Sequence, residues 1–205
     1  MKTRDLSDSP AKLFGSSFLN YLRKTSDVVG DFNSFPPHPT CSYTSRQERF
    51  LLNNGYYDIM FREMTRDLLK FIDSKYGKRR AIYVHGLQGV GKSHSLYNII
   101  CTLASNKQNH VIYVHDCAGW GKTSTQSGII FLIQTIAQAF PFDSDVIDEC
   151  KRALGSLEIE DTEYLLKFIN GFCSTNGLKL YAVFDQHNGL TRTQRSVFPY
   201  NVLSC

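Results

Sequence analysis

One short stretch limits what this chain can fold into more than any other. Gly86-Leu87-Gln88-Gly89-Val90-Gly91-Lys92-Ser93 is a full match to the pattern G-x-x-x-x-G-K-[ST]. Ala81-Ile82-Tyr83-Val84 before it is a short β-branched and aromatic run. After it, Leu96, Ile99, Ile100 and Leu103 recur at helical spacing, which predicts a helix over 93–105. A strand, a glycine-rich turn and a helix in that order let backbone N–H groups point inward around an anion, because no Cβ stands in the way. The amino end of the helix adds positive potential. Gly86, Gly89, Val90, Gly91, Lys92, Ser93 and His94 are therefore the candidate residues for a nucleoside triphosphate. Lys92 is expected at the β- and γ-phosphates and the Ser93 hydroxyl at a magnesium ion. ATP is the expected nucleotide, with GTP as the alternative.

The rest of the chain reads as alternating strands and helices. Helical spacing of Phe61, Met64, Leu68, Phe71 and Ile72 predicts a helix from Tyr56 to Tyr76, stopping at Gly77. Val111–Val114 reads as a second strand, followed by helical patterns near 128–140, 143–154 and 161–172. Asn176-Gly177 turns the chain into a third strand over 178–184. Such alternation implies parallel pairing and right-handed crossovers, hence an α/β P-loop sandwich of three layers with a mostly parallel sheet. Residues 1–50 read as an irregular arm. A short amphipathic helix is expected over 11–23, and Ser34-Phe35-Pro36-Pro37-His38-Pro39 as a linker or extended stretch. Residues 51–205 read as the P-loop domain, with its sheet expected to be incomplete at the C-terminal side.

The third strand ends Leu180-Tyr181-Ala182-Val183-Phe184-Asp185, an apolar strand closed by aspartate. With the glycine-rich turn upstream, this is the Walker B pattern, and Asp185 is the candidate to hold magnesium. The next position, where a glutamate acting as general base is usual, holds Gln186. A glutamine orients water but cannot take its proton, so hydrolysis is expected to be slow. Lys92, Asp185 and Gln186 make up the candidate catalytic set. His187 could replace the base or simply bond backbone in a turn. Asp116, Arg192 and Arg195 could sense phosphate or serve only as loop residues. Gly121-Lys122-Thr123 imitates the first motif, but Asp116 stands where its leading glycine is needed.

Composition narrows the classes. Net charge is +4, from 23 basic and 19 acidic residues mixed along the chain, so no stripe marks a nucleic-acid surface. The six cysteines are dispersed without zinc or redox spacing, and His85, His94 and His110 lack metal spacing with them. Free core thiols in an intracellular setting are the expectation. The charged start MKTRDLSDSP lacks the apolar run of a secretory signal. The uncharged stretch 123–142 is interrupted by Gln134 and Gln138, and reads as a core helix rather than a membrane span. The acidic run from Glu158 to Glu163 reads as a solvated helix start.

Three phrases together carry a family resemblance: GLQGVGKSHSLY at 86–97, VIYVHDCAGW at 111–120 and VFDQHNGL at 183–190. Over about residues 40 to 205 the chain resembles the P-loop domain of Crinkler-type effectors, of the AAA+/STAND kind. The resemblance implies a modular effector that acts inside host cells, often in nuclei, having left its source by a non-standard secretory route. It also implies a protein partner or self-association, and nucleic acid only through a further module. It carries Gly86, Gly91, Lys92 and Ser93 over to nucleotide and Asp185 to magnesium. The ubiquitin-like header and the nuclease-like or kinase-like module of the full pattern are not recognisable here. Three functions stay open: a slow ATP-hydrolysing switch, a nucleotide-binding interaction module without turnover, and a small-molecule kinase. An arginine-rich lid, which a kinase needs, is missing between the two motifs.

Overall fold

The computed structural model describes residues 22, 26–35, 56–76, 82, 91–115, 117–120 and 122–185. Over these residues the chain is mixed α/β, with helices and short strands in two small sheets, one antiparallel and one parallel. It divides into two compact units, with described residues up to 107 in one and those from 108 onward in the other. The helix expected over 11–23 and the strand expected over 81–84 lie outside the described residues, apart from Leu22 and Ile82.

In the first unit, β1 (Phe32–Phe35) pairs antiparallel with β2 (Tyr57–Met60), setting Phe32 opposite Met60 and Phe35 opposite Tyr57. The pairing continues past the strands, where Gly30 N–H donates to Phe61 O at 2.9 Å and Phe61 N–H to Asp31 O at 2.8 Å. Asn33 is buried, and its side chain ties down the preceding turn: Oδ1 accepts from Ser26 N–H at 2.7 Å and Nδ2 donates to Ser26 O at 2.8 Å. The linker expected from Ser34 is thus corrected at its start, because Ser34 and Phe35 are extended but paired. The helix expected from Tyr56 is corrected as well. Tyr57–Met60 is strand, and α1 runs only over Glu63–Lys75. Phe61 is buried, whereas Met64 and Phe71 on α1 are exposed.

Helix α2 (Lys92–Ala104) lies one residue from its expected bounds and packs on β2 and α1. Its buried face, Tyr97, Ile99, Ile100, Cys101 and Leu103, joins Phe35, Ile59 and Phe61 in this unit's core. Tyr97 meets Phe35 and Tyr57 edge-on, at centroid distances of 6.1 and 6.4 Å. Asn98 is fully buried, and its Nδ2 reaches Met60 O at 3.4 Å while its backbone carbonyl accepts from the Thr102 hydroxyl at 2.8 Å. An amide that is buried needs such partners, so this residue fixes α2 against β2.

The second unit is built on β3 (Asn109–Val114) and β4 (Lys179–Phe184), parallel and in register from Asn109 opposite Lys179 to Val114 opposite Phe184. A parallel pair needs a long crossover. Here it consists of α3 (Cys117–Trp120), α4 (Thr125–Ala139), α5 (Ser144–Ser156) and α6 (Ile159–Thr175). Ser124 caps α4 by accepting from Ser127 N–H at 3.2 Å. Ile129, Leu132, Ile133 and Ile136 of α4 are fully buried with Ile112, Val114, Leu165 and Ile169. The stretch read as a core helix is therefore one, and among the described residues no helix is long and apolar enough to cross a membrane. Helix α6 ends in a Schellman motif, with Leu178 N–H on Cys173 O at 2.8 Å and Gly177 N–H on Ser174 O at 3.4 Å. That motif requires a left-handed residue, and Gly177 supplies it at φ 64°.

Candidate functional site

The described end of the glycine-rich stretch is the junction into α2. Gly91 is the N-cap, left-handed at φ 80° and ψ 24°. A side chain would strain that conformation, so the glycine before lysine in the motif has a backbone reason here. Its carbonyl accepts the first helical bond, from Ser95 N–H at 3.0 Å. The N–H groups ahead of Ser95 have no partner within the helix, as at every helix start. The first turn of α2 holds no acidic residue. Lys92 is half-buried, Ser93 and His94 are exposed, and Ser95 is buried. Among the described residues, the side chains of Ser93 and His94 make no hydrogen bond. This end of α2 is thus a positive pole with donors and a lysine, and with no protein carboxylate in its own first turn. Its donor set fits a phosphate group.

Asp185 follows β4 directly, where the sequence set it. Its backbone closes the carboxyl ends of the parallel pair, since Asp185 N–H donates to Val114 O at 2.9 Å and Asp185 O accepts from Cys117 N–H at 3.2 Å. Position and backbone are fixed by the ladder, and the residue is half-buried. Asp185 belongs to the second unit, and Gly91 to His94 belong to the first. Gly86, Gly89, Val90, Asp116, Gln186, His187, Arg192 and Arg195 lie outside the described residues. Among the described residues, no group of three or more His, Cys, Asp or Glu gathers as a metal site.

The remaining sequence readings find structural roles. Cys101, Cys117, Cys150 and Cys173 are buried, and none of them is in a disulfide. His110 stacks flat on Phe140 at 4.2 Å, and its Nδ1 lies 2.7 Å from Ala139 O, at the carboxyl end of α4. Lys122 and Thr123 of the imitation motif are exposed, and Thr123 Oγ1 donates back to Trp120 O at 2.7 Å. Glu158, Glu160 and Asp161 begin α6, where acidic side chains suit the helix dipole.

One neighbour of the site has no signal in the motif. A Cβ built on Gly91 would lie 3.6 Å from Nη1 of Arg62, the residue just before α1. Comparison with protein-family models, curated proteins and solved structures returns no match to this chain.

Proposed function

We propose that the chain binds a nucleoside triphosphate, ATP before GTP, through Gly86–Ser93, within a P-loop α/β sandwich. The observation that carries this reading is a complete G-x-x-x-x-G-K-S sequence leading into α2 across a left-handed Gly91. Gly86, Gly89, Val90 and Gly91 give backbone N–H donors to the phosphates, and Lys92 and His94 flank them. When bound, magnesium would neutralise phosphate charge, with the Ser93 hydroxyl and Asp185 as its protein partners. The resemblance to Crinkler-type effectors adds the role of a slow switch.

The test is calorimetry of ATP with magnesium on wild type and Lys92→Ala. Charge-assisted contacts of this kind contribute about 1.5–3 kcal/mol, so affinity is expected to fall roughly ten- to a hundredfold. Equal affinity in the two proteins overturns the reading. Asp185→Asn should weaken binding in magnesium and change little in EDTA. An equal loss in both conditions makes Asp185 a structural residue.

A second reading, a nucleotide-binding module without turnover, is favoured by Gln186 in place of a glutamate after Asp185. It predicts saturable binding with no phosphate release.

A further inference from the structure

We draw no further inference here: the strongest candidate, the apolar surface patch made by the exposed side chains of Phe32 and Met60 at opposed positions of the β1–β2 pair, carries nothing because nothing in the structure shows what covers it.

Discussion

Cys150 faces the core from α5, 1% exposed, with Glu149 next to it in the chain. Burial pushes its thiol up from an ordinary 9.0 to about 12, and the Glu149 charge adds to the effect. The folded state therefore keeps the proton where the unfolded chain has lost it. Stability from this group is complete below pH 9 and declines as pH rises towards 12, by about 1.4 kcal/mol per pH unit. Urea unfolding of wild type at pH 7, 9 and 10 should show that decline. Cys150→Ala, which has no proton to lose, should lose less over the same range. Parallel declines in the two proteins would place the alkaline sensitivity elsewhere. Asp161 shows the opposite direction, held below the usual carboxylate range by a hydrogen bond from Ser156 and then by Arg152. Arg152 lies 2.7 Å from Asp161 and from Glu149, and its guanidinium sits 4.6 Å from the Tyr164 ring centre. This cluster is exposed, so salt is expected to weaken it.

Glycines within helices respond to their surroundings, and two of them give opposite predictions. Nothing lies within 4 Å of a Cβ added at Gly171 in α6, so Gly171→Ala should stabilise by about 0.5–1 kcal/mol through helix propensity alone. At Gly128 in α4 the same atom would sit 3.1 Å from Trp120 Nε1. That nitrogen donates to Gly128 O at 3.1 Å, and the indole is buried beside Phe131, so it has little room to retreat. Gly128→Ala should therefore destabilise despite the better propensity, and paired thermal melts would check both signs. The elements of the second unit were legible because their apolar residues repeat with one period over long stretches: Ile129 to Ala139 as helix, Val111–Val114 and Leu180–Phe184 as strands. The β1–β2 pair was not. Phe61, Met64, Leu68, Phe71 and Ile72 fall at spacings of three and four that extended the expected helix back to Tyr56, while the pairing of Tyr57–Met60 with Phe32–Phe35 is made by backbone bonds that periodicity does not register. Met64 and Phe71, two of the residues that make up that spacing, are exposed on α1.

At the level of the whole molecule, the candidate site was legible wherever its chemistry is local in sequence. Gly91, Lys92 and Ser93 adjoin one another, and Asp185 follows the strand that fixes it. The nearness of Arg62 to Gly91 was not legible, because only folding brings the two together and the residues between them carry no shared pattern. The parallel pairing of β3 and β4 followed from the helical content between them, since so long a crossover excludes a hairpin. On the proposed reading, Gln186 follows Asp185 in sequence at the position where a glutamate acting as general base is usual. Such a base contributes about 10²–10⁴ in rate, so wild type should saturate with ATP and hydrolyse it slowly. Gln186→Glu should raise the rate without tightening binding, because the new carboxylate acts on the water and not on the phosphates in the ground state. Single-turnover hydrolysis at saturating ATP and magnesium, with calorimetry on the same preparations, separates these effects. A faster variant with unchanged affinity supports a switch that lacks its base. A variant as slow as wild type means that no water is held within reach of position 186, which favours the binding module. Wild-type turnover on the order of several per second, near the median for enzymes, would mean that another residue already serves as the base, and the slow-switch reading would fall.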